Sequence, residues 1–319
     1  AVDTGGIGVS RSSYDALMEA RRRGLVSVRT RLYVGAGLRG EELSQVRDWT
    51  QAVSPGEGDE VVRFVGAGEI LSFGCHDMDG LHSFTITPEA RSELAGMVRM
   101  LAAKRWPIHL HATLDTTIDT MLEVMEEVDA DHPLRPLRVS LAHVEPISER
   151  NLRRAQALGA GLAVQDRMVF RAGAAARAWG SEEAVAQSPP LGSMLAMGLP
   201  VGAGTDATRA TSFNPWLSLW WLVSGRSLDG GPPRAPEHRL SRPRALELYT
   251  RGSAWFSFEE GLRGMLAPGW LADLAVLSAD YFTVPEDGIR DIRSELTLLG
   301  GRVVHASGPF AGLEDGGTG

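Results

Sequence analysis

Four short apolar runs in this chain end on side chains that bind metals: GAGEILSF carries Glu69, PIHLHAT carries His109 and His111, SLAHVE carries His143, and VGAGTDAT carries Asp206. Imidazole and carboxylate are the donors that zinc and other first-row divalent ions take. His109 and His111 stand two apart, so on a strand both project to one face, where two imidazoles could sit side by side on an ion. Either could equally be a core histidine bonded to backbone. Glu145 falls on the same side as His143 and could orient a ligand from behind. Asp206 follows a glycine-rich run that lets the backbone approach a crowded centre. It could cap the next helix or, beside a metal, bind the ion and take a proton from its water.

Two polar clusters follow other apolar runs. In Cys75, His76, Asp77, Met78 and Asp79, the pair His76 and Asp77 could touch substrate or metal, or satisfy a turn. In Gln165, Asp166 and Arg167, Gln165 is a substrate-binding candidate. Arg167 could clamp a substrate carboxylate with its planar fork or enter an ion pair. Trp216, Trp220 and Trp221 recur at helical spacing and read as core packing.

Side chains spread this widely need a scaffold that gathers strand ends. Apolar β-branched runs near Val28–Val34, Glu69–Phe73, Pro107–His111, Arg138–Ala142, Gly161–Val164 and Pro200–Ala203 alternate with amphipathic stretches, the pattern of repeated βα units on a parallel sheet. Thr87 and Pro88 open a helix with Leu94, Met97, Val98 and Leu101 on one face. A second helix starts near Thr116, and a third runs from Ser148 to Gly159. An open doubly wound sheet and a closed (β/α)8 TIM-type barrel both satisfy the alternation. Strand-end ligands favour the barrel, whose active face lies at those ends. The glycines Gly5, Gly6 and Gly8 are a weak dinucleotide signal.

The segment from Ser241 to Glu260 reads as one more helix, giving an α/β catalytic barrel over residues 1–260. Pro-Gly and Gly-Gly turns then mark a small β-sandwich-like appendage with no helix between its strands, over 261–308. Residues 309–319 read as a disordered tail.

A formal charge of -8 argues against nucleic acid or an anionic membrane surface as a partner. The run Arg21, Arg22, Arg23 is too short to change this. A single cysteine, Cys75, makes no internal disulfide, which suits the cytoplasm. Trp216 to Val223 is too short to span a bilayer. The opening AVDTGGIGVS has no initiator Met and reads as the middle of a longer protein.

HLHATLDTTIDTMLEVMEEV, RVSLAHVEPISERNLRRAQALGAGLAVQDRM, GTDAT and ALELYTRGSAWFSFEEGLRGMLAPGWLADLAVLSADYF occur in the order found in the amidohydrolase superfamily. The chain resembles its third amidohydrolase family, which includes N-substituted formamide deformylases, over nearly its whole length. The resemblance implies a metal-dependent hydrolase barrel, here lacking its first strands, with His111, His143 and Asp206 as ligands. His109 becomes a neighbour, and Asp115 and Glu145 stand behind the ligands. Where relatives carry a bridging lysine this chain has Glu69, which could bridge two ions or be a buried acid paired with Arg63. The family's first-strand His-x-His pair has no counterpart, and AVDTGG resembles the end of the second strand.

The implied chemistry is hydrolysis of an amide or cyclic amide C–N bond in a small-molecule substrate. One or two divalent ions activate water, with Asp206 as general base and His143 as a possible donor to the carbonyl. Zinc suits the ligands, as do manganese, iron and cobalt. Alternatives are a non-catalytic ligand-binding barrel or inactive fragment, and a metal-dependent deaminase. Exposed strand edges in an incomplete barrel lead us to expect a homo-oligomer.

Overall fold

Seven parallel strands form one sheet in strict chain order: β1 (Val2–Asp3), β2 (Thr30–Val34), β3 (Val62–Glu69), β4 (Ile108–Ala112), β5 (Ser140–His143), β6 (Gly161–Gln165) and β7 (Val201–Gly204). The structure, a computed structural model, describes residues 1–5, 11–208 and 210–316, so Gly6 and Gly8 of the glycine cluster lie outside the described residues. Helices α1 (Arg11–Arg22), α2 (Glu42–Ala52), α3 (Pro88–Ala103), α4 (Asp115–Asp129), α5 (Glu149–Leu158) and α6 (Met168–Trp179) each follow a strand. The short α7 (Glu182–Ala186) and α8 (Leu191–Ala196) precede β7, and α9 (Pro215–Ser224) and α10 (Arg242–Glu247) come after it. None among the described residues is long and apolar enough to cross a membrane.

Caps set the helix ends as their residue types suggest. Thr87 accepts from Ala90 N–H ahead of Pro88, Ser148 accepts from Asn151 N–H, and Gly159 closes α5 at φ 68°.

The sheet is strongly curled. Seven strands about 4.8 Å apart would, if flat, hold β3 roughly 19 Å from β7. Yet the His143 ring, on β5, lies 3.8 Å from Glu69 of β3 and 3.9 Å from Asp206, just beyond β7. Among the described residues β7 does not pair with β1, so the sheet is a curled half-barrel.

Register divides the strand residues between two faces. Leu32, Phe64, Ile108, Leu110, Leu141, Leu162 and Val201 are buried on the convex face, against helices such as α3 and α4. The concave face carries Arg31, Tyr33, Gly66, His109, Ser140, Gly161 and Gly202, mostly in register across neighbouring strands. The glycines there make room for a plug: a Cβ on Gly161 would meet the Trp255 ring, and one on Gly202 the Phe256 ring. Tyr33 donates its hydroxyl to Phe256 C=O at 2.6 Å, and Arg31 makes a bidentate pair with Glu259 at 2.9 and 2.7 Å. The segment after β7 thus returns to fill the hollow and fasten β2.

Several sequence expectations need correction. The strand expected at Glu69–Phe73 ends at Glu69, because the β-branched run lies upstream at Val61–Val65, and Phe73–Cys75 is a 3-10 turn. The helix expected from Ser241 to Glu260 is broken into α10, a π-helical turn over Leu248–Gly252 and a 3-10 turn over Trp255–Ser257. The break lets Ser253 both donate to and accept from the Ala203 backbone on the edge of β7. The appendage is one antiparallel sheet in the order β10-β9-β8, from β8 (Leu274–Leu277), β9 (Ser294–Leu299) and β10 (Arg302–Ala306). A 3-10 turn, Glu286–Asp291, sits between its first two strands and takes a hydrogen bond from Trp220 on Asp287. Arg29 pairs with Asp273 at 2.6 Å and ties this sheet to β2. Within the tail expected to be disordered from residue 309, 3-10 turns run over Gly308–Gly316, and residues 317–319 lie outside the described residues.

Glu259→Gln should destabilise the fold by about 3–5 kcal/mol at pH 7, because Arg31 keeps its charge in the core without a counter-charge. Burial opposes ionisation of Glu259, but Arg31 and Arg263 outweigh it and hold the carboxyl below its usual range. The pair's contribution is therefore present above the unfolded carboxylate range and lost as pH falls through the lower folded value. Urea denaturation at pH 7 and pH 3 should show the gap between variant and parent shrinking in acid.

Candidate metal centre

A regular parallel strand would place two of the candidate ligands on the wrong face. Glu69 is in register with Leu110 and His143 with Ala112, both one step out of phase with the concave-facing His109 and His111. Local backbone reverses each. Before Glu69, Gly68 adopts φ 140°, and a Cβ there would lie 1.7 Å from His109 C=O. At β5, His143 has φ 76°, and Val144 N–H bonds back to Ala142 C=O across it, a γ-turn that swings the ring inward. Gln165 accepts from His143 N–H at 2.9 Å and steadies this turn.

The result is a convergence on Glu69 Oε1. His111 Nδ1 lies 3.3 Å away, His143 Nε2 3.8 Å and His76 Nε2 4.0 Å. Glu69 Oε2 accepts from the Thr4 hydroxyl at 3.0 Å. On the far side of His111, Asp77 accepts from Nε2 at 2.6 Å and from the backbone N–H groups of Thr113 and Leu114. That bond fixes the His111 hydrogen on Nε2 and turns Nδ1 to the centre, the carboxylate–histidine arrangement that supports metal-binding imidazoles. Asp206, at φ 59°, sits at the rim, 3.9 Å from both His143 Nδ1 and Arg167 Nε.

His143 is 2% exposed, and both its ring nitrogens are buried with no hydrogen-bond partner among the described residues. Leaving two imidazole nitrogens buried and unpaired costs free energy, and a divalent ion on one of them would remove part of that cost. Bonds of about 2.0–2.2 Å separate two tetrahedral ligands by roughly 3.3–3.6 Å. The Glu69–His111 and Glu69–His143 separations of 3.3 and 3.8 Å stand close to that span. The donor types therefore suit a divalent cation, and among the described residues the group whose ligand atoms all lie within 4.8 Å of one another is Glu69, His76 and His111, with His143 beside it.

Electrostatics agree. Burial opposes charge on Glu69, but His111 and His143 outweigh it and keep the carboxyl well below its usual range. Burial likewise opposes charge on His111, and its bonds to Asp77 and Glu69 raise it to about 9. Burial, then the Arg167 and His111 charges, drive His143 well down. Burial, then the charge on Glu69, raises Asp206 to about 6 against the pull of Arg167.

Other expectations fare unevenly. Asp77 is buried and bonded to His111. His76 is buried and stacks on His111, with ring centroids 3.7 Å apart. Gln165 serves the His143 backbone as described. Arg167 is committed to Glu145 at 3.0 Å and to the Thr113 hydroxyl, so it is an ion pair and not a free clamp. Glu145 accordingly holds Arg167 and makes no bond to a candidate ligand. His109 lies one layer deeper, bonded to Ser140 Oγ at 2.7 Å beside Tyr33 and Phe256. Asp115 does not join the site, because its carboxylate binds Ser148 N–H and Asn151 at the start of α5. Glu69 faces His111 and not Arg63, and Asn214, not Asp206, caps α9. Thr4 and Thr113 also touch the site, through Glu69 and Arg167. Thr113 follows His111 at the spacing of one strand face, whereas nothing local marks Thr4.

Two outcomes follow from this geometry. Gly68→Ala should cost more than about 3 kcal/mol in urea denaturation, since a side chain meets both a forbidden φ and a backbone oxygen, and should weaken zinc binding in calorimetry. A metal taking His111 Nδ1 must displace the proton that Asp77 and Glu69 stabilise, so zinc affinity should rise with pH between 6 and 8 with net proton release. Calorimetry in buffers of different ionisation enthalpy measures that release, and a flat profile would contradict the assignment of Nδ1.

The model of the amidohydrolase family matches residues 1–305. The Bacillus subtilis protein YtcJ, named for an amidohydrolase, is 24% identical over 66% of this chain and 40% of its own length. A 5-methylthioadenosine/S-adenosylhomocysteine deaminase of Nitratidesulfovibrio vulgaris is 27% identical over 71% of this chain and 50% of its own. The chain thus spans about half the length of these relatives or less. A metal-dependent hydrolase from Pyrococcus horikoshii superposes with a TM-score of 0.67 at 22% identity, over 88% of this chain and 56% of that one. On the match of the family model across residues 1–305, the chain belongs to the amidohydrolase family.

Proposed function

We propose that this chain carries the catalytic half-barrel of a metal-dependent hydrolase that cleaves a C–N bond in an amide or cyclic amide. Glu69, His111 and His143 would hold the ion, with Asp206 at its edge. The observation that carries the reading is the buried His143 ring, whose two unpartnered nitrogens lie beside Glu69, His111 and Asp206. Zinc suits these donors, as do manganese, iron and cobalt, and Glu69 has the oxygens to bridge two ions. A bound divalent ion supplies the Lewis acidity that makes water a nucleophile near neutral pH.

The chain's own groups do the rest. Asp206 is partly open to the mouth and is raised to about 6 by burial and by Glu69. It can accept the attacking water's proton and return it to the departing nitrogen. Arg167 keeps a positive charge 3.9 Å from that carboxylate, which favours the ionised form ready to accept. Asp77 holds His111 in one tautomer, and Gln165 holds the turn that presents His143. The sequence resemblance to N-substituted formamide deformylases makes small N-acyl compounds the first substrates to try. A cytoplasmic homo-oligomer remains our expectation for its setting.

The likeness to a deaminase favours a second reading, in which the bond cleaved is that of an amidine-type C–NH2 group. Measuring released ammonia against released carboxylate separates the two.

Elemental analysis of the zinc-treated, dialysed chain should find stoichiometric metal that His143→Ala loses. Asp206→Asn should retain metal while kcat falls by about 10²–10⁴-fold on N-formyl or N-acetyl amides. The acid limb of activity should lie at or below pH 6, because a cation beside Asp206 adds to the pull of Arg167. Absence of bound divalent metal in the parent chain would sink the hydrolase reading.

A further inference from the structure

The loop between β3 and α3 holds an imidazole whose hydrogen is positioned by the backbone. Met78 N–H donates to His76 Nδ1 at 3.0 Å. A backbone amide can only donate, so Nδ1 presents its lone pair and the neutral ring carries its hydrogen on Nε2. That nitrogen faces the cluster, 4.0 Å from Glu69 Oε1, and meets no hydrogen-bond partner among the described residues.

The ring has little freedom. It is 6% exposed and lies nearly parallel to His111, with 14° between the planes. Met78 adopts φ 55°, a left-handed conformation that brings its amide back over the ring two residues before it. The loop is anchored on both sides. Asp77 is bound to His111, Thr113 and Leu114, while the carbonyls of Asp79 and Gly80 accept from Arg171 and Trp179 on α6.

Position alone would make His76 a third ligand, since its ring nitrogen groups closely with Glu69 and His111. Its tautomer argues otherwise, because a nitrogen bearing hydrogen has no lone pair for a cation. We propose that His76 is not a metal ligand but a catalytic N–H donor at the rim of the centre, placed to bind the substrate carbonyl oxygen as negative charge develops on it. The role rests on the hydrolase reading above. It adds a second electrophile from the chain itself, of the kind worth about 10²–10³-fold in kcat when removed. The loop from His76 to Gly80 then becomes the wall against which the acyl group is held.

The zinc-free full chain tests the tautomer first. In long-range nitrogen–proton spectra of the histidine rings, His76 should carry its hydrogen on Nε2, and a hydrogen on Nδ1 would overturn the inference. On adding zinc, His111 Nδ1 and His143 Nε2 should move to metal-bound shifts while His76 Nε2 keeps its hydrogen. A metal-bound shift at His76 Nε2 would overturn the inference too. If zinc moves none of the three rings, the hydrolase reading fails, and the zinc-free spectrum still judges His76.

Inorganic phosphate serves as the oxyanion probe on the zinc-loaded chain. His76→Phe, which keeps an aromatic stack on His111, should hold the parental zinc stoichiometry and bind phosphate about tenfold or more weakly. His76→Gln, which restores an N–H donor, should recover part of the loss. Loss of zinc in both variants, or phosphate affinity unchanged in His76→Phe, would overturn the donor role.

Discussion

A β-strand sends successive side chains to opposite faces, and this site depends on breaking that rule at two strand ends. Without the left-handed turn at Gly68, Glu69 would point among the helices. Without the γ-turn at His143, its imidazole would do the same. Each reversal occurs at the last residue of its strand or just before it, and the chain beyond still bonds to its neighbour, Val144 N–H to Ala112 C=O and Ala36 N–H to Ile70 C=O. The strained backbone is held from outside: Gln165 takes the His143 amide, and Thr4 takes one oxygen of Glu69. Strain of this kind persists only when surrounding contacts over-determine it, and here those contacts come from Gln165 on β6 and from Thr4, just after β1.

Convergence also requires curl, and curl requires something to fill the hollow. The concave wall is built from small residues, and the rings of Trp255 and Phe256 enter where Gly161 and Gly202 leave space. The plug occupies the layer beneath His109, while the candidate ligands stand above it. His109 therefore belongs to the packing that separates the two layers, which explains why it differs from His111 although both face inward. Its bond to Ser140 satisfies the ring in a place where burial pulls it down to about 4.

Much of this was legible in the residues. Caps at Thr87 and Ser148 and the stop at Gly159 followed from local chemistry, because each is settled within a turn of chain. The grouping of His111, His143, Asp206 and Glu69 was accessible because parallel strands share one active end. Three things were not. The phase of Glu69 and His143 depends on φ values that residue type does not dictate, since His143 is neither Gly nor Asn. The break in the helix after β7 depends on Ser253 meeting an exposed strand edge, a partner 50 residues away. The destinations of Asp77 and Arg167 depend on which opposite charge reaches them first, and spacing along the chain carries no such information.

The fastening of β2 by the returning segment has a bearing on biosynthesis. Arg31 and Glu259 are separated by 228 residues. At roughly 5–20 residues per second, the arginine emerges on the order of 10–50 s before its carboxylate exists. Throughout that interval the concave wall is open and its buried cation must remain in water. The helix-covered convex side can assemble unit by unit as each βα pair appears, but the hollow cannot close until the end. Contacts this distant in sequence are thus among the last to form, and the nascent half-barrel is the state most exposed to chaperones and proteases.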